Sequence, residues 1–287
     1  LTAVAGGLGV IIPPSITMIM YGVCSKTSIG DLFVAGIVPG ILLAVIFMIT
    51  ASGEAKKRHI EQTTEFTLKE LGLSFLDAIP ALLVPVILLG GIYGGFFSPT
   101  EAGAVACVYG YLVARFWYKE VDGTNIGSIL GGALTNTVMV LIIVSASGAF
   151  SWLLTANGVS SLLGSAVGSI AGNKFVFLLI SNLIFLFIGC FIESVAGILI
   201  VTPILLPQAV ALGVDPVHFG IIMVVNLALG LTTPPVGENQ YIAAAIADIP
   251  FEKQFKASLP FLAANFVGLM LITYIEELSL WLPRLLA

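Results

Sequence analysis

Charge is what this sequence has least of. Asp, Glu, Lys and Arg make up 9% of its 287 residues, against about 25% in an average soluble domain, and that scarcity excludes an ordinary water-facing surface. Histidine is nearly absent: His59 and His218 stand far apart, so the sequence offers no His-based metal pair and no base for a nucleophile. Cys24, Cys107 and Cys190 are odd in number and lack metal-ligand spacing, so they read as small apolar core side chains and fix no redox compartment. No Gly-x-Ser-x-Gly or His-Glu-x-x-His pattern supports hydrolysis, and no Gly-x-x-x-x-Gly-Lys loop is there to cradle a nucleotide phosphate. An enzyme is therefore not indicated, and driving by ATP hydrolysis within this chain is excluded. A net charge of −5 argues against a nucleic-acid partner.

What the sequence does hold is apolar length. Hydrophobic residues reach 58% and the mean hydropathy is +1.10, which identifies an all-α polytopic membrane protein. With roughly 20 apolar residues per crossing, the spans expected are a broken element over 1–25, then 31–52, 76–96, 100–118 and 126–150. An interfacial small-residue segment is expected at 159–172. After it come an apolar stretch at 174–212 interrupted at Gly189–Ser194, another at 218–248 interrupted at Gly230–Gly237, and a final span at 257–282. The arms of 174–212 are too long for half a membrane and too short for two comfortable crossings, which favours a re-entrant hairpin. The arms of 218–248, about 11 to 12 residues each, reach roughly half the bilayer and suit one discontinuous helix. Leu1 opens inside a helix arm without an initiator Met or a signal-peptide pattern, so the chain is read as part of a longer one.

The interruptions carry the functional signal. Gly9–Ser15 and Gly230–Gly237 each contain a Pro-Pro pair, which removes two backbone donors and disfavours helix just before it. At membrane depth the freed carbonyls and amides must line a cavity or bind something. The basic residues give an orientation: with Lys56, Lys57, Arg58, Lys69, Arg115, Lys119, Lys253 and Lys256 cytoplasmic, only Lys26, Lys174 and Arg284 remain outside, provided 174–212 is a hairpin. The two broken helices then run in opposite directions. A shift of 221 residues aligns Gly9 with Gly230, Pro13-Pro14 with Pro234-Pro235, Asp31 with Glu252 and Pro39 with Pro260. Inverted repeats whose discontinuous helices meet at the midplane are the build of many secondary transporters.

This layout divides the chain into the end of a first repeat with a discontinuous transport-domain helix (1–30), scaffold and connecting helices (31–173), a hairpin and second discontinuous helix of the transport domain (174–250), and a last scaffold helix (251–287). Half-helix C-terminal carbonyls suit a hard cation such as Na⁺, and half-helix amides suit an anion. Thr232 and Thr233 add hydroxyls and Asn239 an amide to the second break, while Thr2 and Ser15 flank the first. Glu193 at the hairpin tip and Glu238 in the second break are expensive at midplane depth and so are functional candidates. Glu193 could equally be held by tip amides, and Glu238 could face water at a cavity mouth. Gly189 and Ser194 belong to the same tip. Pro14, Ser194, Gly237 and Asn239 are the candidate substrate-binding residues. Asn182, Asn226 and Asn265 are expected to hydrogen-bond between helices, His59 to be solvated, and His218 to cap a helix at the interface.

The runs Gly6-Gly7-Leu8-Gly9 through Ile12-Pro13-Pro14-Ser15, Gly90–Glu101, Thr202–Pro207, and Asp215–Gly220 through Thr233-Pro234-Pro235-Val236-Gly237 occur in an order that resembles the large membrane subunit of tripartite ATP-independent periplasmic (TRAP) transporters. The resemblance implies a sodium-driven, elevator-type importer of a carboxylate such as sialic acid or a C4-dicarboxylate in the bacterial inner membrane. It also implies a small membrane subunit beside it, a periplasmic binding protein delivering the solute, Na⁺ as the coupling ion and no organic cofactor. It carries sodium roles onto Gly9 and Ser15 in one site and onto Gly189, Glu193, Thr232 and Thr233 in the other. Glu238 departs from the apolar residue expected after Pro-Pro-Val-Gly. A channel using the same broken helices as a pore is the alternative.

Overall fold

A computed structural model describes residues 1–58, 67–158, 162 and 173–286, with no strand among the described residues. The expected segment at 159–172 and His59 fall outside them, save Leu162. Helices follow one another as α1 (Thr2–Ala5), α2 (Leu8–Ile11), α3 (Ile16–Ser25), α4 (Ile29–Lys57), α5 (Leu68–Tyr93), α6 (Pro99–Leu112) with a π-turn at Val113–Trp117, α7 (Ile126–Ala156), α8 (Lys174–Gly189), α9 (Ser194–Ala211), α10 (Pro216–Gly230), α11 (Glu238–Ile246), α12 (Phe251–Tyr274) and α13 (Glu277–Leu286). Among the described residues, five helices are long and apolar enough to cross a membrane, and a sixth crossing results if the bent pair Thr2–Ile11 and Ile16–Ser25 counts as one span. The chain is an all-α polytopic membrane protein.

Helix ends follow local chemistry. Asn173 and Asp215 start α8 and α10 by accepting backbone amides, and Pro216 stands where its missing N–H costs nothing. Ser98 and Glu101 form a capping box at α6. Two compact units result, Leu1–Ala55 with Ile142–Ala287, and Lys56–Leu141. In the smaller unit α5 and α6 are tied by the Tyr109 hydroxyl donating to the Pro80 carbonyl at 3.0 Å, and the Tyr118 hydroxyl donates to the Asp77 carbonyl at 2.6 Å.

The larger unit is built around α10. Every residue from His218 to Gly230 is buried, the state expected of a helix that is apolar all round. α8 and α9 form a hairpin whose two ends meet at one end of the bundle, since the Lys174 ammonium donates to the Gly213 carbonyl at 3.3 Å and pairs with Glu276, just beyond α12, at 2.8 Å. Arg284 lies 3.6 Å from the same Glu276. The three outer charges named by the sequence are thus partly gathered, Lys174 and Arg284 meeting through one carboxylate.

Several boundaries correct the sequence reading. Gly9 is inside α2 rather than in the break, which is confined to 12–15. The second break divides its helix unequally, 15 residues before it and 9 after, because the Asp215 cap and Pro216 start α10 ahead of His218 while α11 ends at Ile246. The last span ends at Tyr274, and α13 follows after Ile275 and Glu276; successive carboxylates at 276 and 277 interrupt the apolar pattern there. Cys107 is exposed rather than a core residue.

Candidate functional site

The two broken helices pass each other in opposite directions. The Tyr21 hydroxyl, near the end of α3, donates to the Pro216 carbonyl at the start of α10 at 2.7 Å, and the Tyr21 ring covers Gly220 so closely that no β-carbon would fit there. At the other end of α10, a β-carbon on Gly7 would stand 3.5 Å from the Ala228 carbonyl oxygen, and one on Gly6 would stand 3.7 Å from the Asn239 amide. The shift of 221 residues that aligns the double prolines places the start of α3 one residue before that of α11, and the start of α4 one residue before that of α12. Both Pro-Pro bonds are cis.

Each break gathers one carbonyl and two hydroxyls. In the first, the Val10 carbonyl accepts from the Ser15 hydroxyl at 2.5 Å and the Thr17 hydroxyl at 3.2 Å, and the two hydroxyl oxygens are 2.7 Å apart. Ser15 and Thr17 are buried, and Ser15 also caps α3 through the Met18 amide at 3.3 Å. In the second, the Leu229 carbonyl accepts from the hydroxyls of Thr232 at 2.7 Å and Thr233 at 2.9 Å. Thr232 has no exposed surface. These are hard oxygen donors at helix ends, with no carboxylate among them.

The hairpin tip meets the second break by direct backbone contact. A β-carbon on Gly230 would sit 2.6 Å from the Gly189 α-carbon, and one on Gly189 would sit 3.2 Å from the Gly230 α-carbon. A cavity of about 50 Å³ lies between them, lined by Gly189, Cys190, Glu193, Gly237 and Glu238 among others. Glu193 is exposed, and its carboxylate caps α9 by accepting from the amides of Val195 at 2.8 Å and Ala196 at 3.3 Å. That is the tip-amide arrangement the sequence reading left open. Glu238 is exposed at the start of α11, and Gly237 adopts the left-handed conformation with φ of 55° that a glycine permits.

Of the other candidates, Ser194 is buried beside Glu193, Pro14 is exposed, and Asn239 lines a separate cavity of about 190 Å³ with Thr2, Gly6 and Ile242. The structure therefore joins Gly189, Glu193 and Gly237 in one cavity and sets Asn239 in another. Thr17, the carbonyls of Val10 and Leu229, and Gln240 escaped the sequence reading. Thr17 could have been found from its place two residues after Ser15, on the first turn beyond the prolines.

A buried polar cluster lies nearer the Lys174 end. The Asn226 amide donates to the Asn182 side-chain oxygen at 2.6 Å, Asn182 donates to the Thr273 hydroxyl at 2.9 Å, and the His218 ring contacts the Thr273 carbonyl at 3.2 Å. Asn182 and Asn226 link helices as expected; Asn265 is buried in α12. His218 is no interfacial cap: Asp215 performs that role and His218 is buried.

Residues 1–278 match the family described as the DctM component of the tripartite ATP-independent periplasmic transporter. The chain is 41% identical over 280 residues to the C4-dicarboxylate TRAP transporter large permease protein DctM of Pseudomonas aeruginosa, covering 98% of this chain and 66% of that protein. It is 37% identical over 285 residues to the sialic acid TRAP transporter large permease protein SiaM of Vibrio cholerae, covering 99% and 67%. With the isethionate TRAP transporter permease protein DctMQ of Oleidesulfovibrio alaskensis it shares 40% over 282 residues, covering 98% and 44%. The chain thus spans about two thirds of the length of the P. aeruginosa relative.

Proposed function

The chain belongs to the DctM family of tripartite ATP-independent periplasmic transporters, and from that premise we propose that it couples an inward sodium gradient to import of an organic anion. The family is a transporter permease and not an enzyme, and the chain is a multi-pass protein of the bacterial inner membrane. The observation that carries the sodium reading is the repetition of one motif at both breaks: a carbonyl at a half-helix end with two hydroxyls turned onto it. Carbonyl and hydroxyl oxygens suit a monovalent hard cation, and half-helix C-terminal ends add negative potential. With Na⁺ bound, each hydroxyl would turn its proton away and offer a lone pair, which releases the carbonyl it had donated to; the Leu229 carbonyl would keep only the Thr232 amide at 3.0 Å and present its remaining lone pair.

The backbone amide of Glu238, the side-chain amide of Asn239 and the positive end of α11 favour a carboxylate. Pro14, Ser194, Gly237 and Asn239 are proposed to frame it, and Gly9, Gly189 and Glu193 to complete the sodium sites. The relatives named for C4-dicarboxylate, sialic acid and isethionate set the solute class as a small organic anion. A small membrane subunit and a periplasmic binding protein that delivers the solute are the proposed partners, and the site-bearing helices are proposed to move as an elevator.

Uptake by the reconstituted full-length permease, measured with a panel of sialic acid, C4-dicarboxylates and isethionate, tests this reading. Accumulation of one solute should require an inward Na⁺ gradient. Equilibration without accumulation, indifferent to sodium, would overturn it in favour of a channel.

A further inference from the structure

We propose that Gln240 is a positioning residue that fixes the Thr232 carbonyl of the second break and ties it to α12; this rests on the sodium reading of that break. Gln240 belongs to the first turn of α11 and has no exposed surface. Its side-chain amide donates to the Thr232 carbonyl at 3.1 Å and to the Ser258 hydroxyl of α12 at 2.8 Å. A carbonyl can only accept, so the orientation of this amide is set by chemistry. Its oxygen in turn accepts from Gln254 at 3.4 Å. Burying a primary amide among apolar side chains costs a few kcal/mol unless it is bonded, and here both ends are.

The other bonds across the break explain what Gln240 adds. The Leu229 carbonyl is held by both threonine hydroxyls, the Gly230 carbonyl accepts from the Thr233 amide at 2.9 Å, and the Leu231 carbonyl accepts from the Asn239 amide at 3.0 Å. The Thr232 carbonyl is instead reached by a side chain from beyond the prolines. Thr232 and Thr233 sit between the two anchors, Leu229 on one side and Gln240 on the other. With one lone pair engaged by Gln240, the Thr232 carbonyl is held at a fixed angle, and its second lone pair is free to face an ion. Because Ser258 shares the same amide, the break is joined to α12 through a single buried group.

The test is sodium titration of uptake in the full-length permease. Gln240→Leu keeps the volume and removes both donors; it should raise the half-saturating Na⁺ concentration roughly three- to tenfold. The maximal rate at saturating Na⁺ and the half-saturating solute concentration should stay near native. Ser258→Ala should move the sodium requirement in the same direction by less, Ser258→Thr should restore it, and the double variant should fall short of the summed effects, because both act through one amide. Should Gln240→Leu prove poorly folded, the Ser258 pair carries the test through Na⁺ protection against thermal unfolding in detergent. If Thr233→Ala shifts the sodium requirement while the Gln240 and Ser258 variants do not, Gln240 is a packing residue and the proposal falls with the sodium site intact. If none of them shifts it, the sodium reading of this break fails and takes the proposal with it.

Discussion

A hydroxyl next to a helix break has two possible duties, and single substitutions separate them. Ser15 both caps α3 and faces the Val10 carbonyl, so Ser15→Ala should cost about 1 kcal/mol of stability as well as sodium affinity. Thr17 serves no cap; Thr17→Val keeps its shape and removes only the oxygen, so it should raise the half-saturating Na⁺ concentration with an unchanged melting temperature. Thr233→Ala should do the same at the second break. Sodium-dependent uptake and thermal unfolding, measured on the same preparations, check all three, and loss of stability without loss of sodium affinity would make the hydroxyls merely structural. Ser15, Thr232 and Thr233 were legible because hydroxyl residues flanking Pro-Pro stand out in an apolar run. The carbonyls of Val10 and Leu229 were not, since which backbone oxygen turns inward depends on the 42° bend of the first helix pair and its counterpart geometry. Gly9 misled the reading because glycine permits a break without requiring one, and in α2 it stays helical. Gln240 is not legible because, next to Glu238 and Asn239, it reads as one more polar residue of the break, with no hint of reaching back eight residues to Thr232.

At the level of helices, the hairpin tip and the second break are held by a glycine-to-glycine crossing. Gly230→Ala would place a methyl group 2.6 Å from the Gly189 α-carbon, so the crossing must open, at a cost of about 1–3 kcal/mol. Gly189→Ala meets atoms only at 3.2 Å and beyond and should cost less; equal melting temperatures for the two variants would mean the crossing is not tight. The hairpin's outer end has its own tie. The Lys174 ammonium, hydrogen-bonded to Glu276, holds that carboxyl below the ordinary carboxylate range. A lowered folded value means that the stability from this pair is complete above the ordinary carboxylate range and is lost as pH falls through the lowered value. Both side chains are about 30% exposed, so Lys174→Gln should cost about 0.5–1 kcal/mol at neutral pH and flatten the acid end of a melting-temperature profile. Both breaks and the hairpin could be read from the sequence, because apolar length and Pro-Pro pairs are local signals. The off-centre second break and the turn at Ile275 were harder, since their positions depend on where α10 and α12 stop finding apolar neighbours.

At the scale of the whole molecule, alternating access requires motion. The tip and both breaks belong to one compact unit that includes α4, whose Gly40 leaves no room for a β-carbon beside Ile12 of the first break, the nearest atom standing 2.6 Å away. Leu43 on that helix is fully buried, so a cysteine there reports packing rather than access. A better reference is Leu71 on α5 of the other unit, which is 54% exposed and precedes the apolar span expected from residue 76. Asn239, at the wall of the 190 Å³ cavity, is the reporter for the site. If the site-bearing helices travel as a body, a cysteine at Asn239 should react with an impermeant thiol reagent from one side of the membrane without sodium and from the other with sodium and solute. A cysteine at Leu71 should keep the same reactivity in both conditions. Orientation must be fixed first: cysteines at Lys57 and Lys253 should label from the cytoplasm and one at Arg284 from the periplasm. The test is run on a cysteine-free background, because Cys107 is exposed and Cys190 lines the tip cavity. Constant accessibility at Asn239, in preparations that accumulate solute, would exclude a moving body and leave a local gate at the Gly189–Gly230 contact as the route of alternating access.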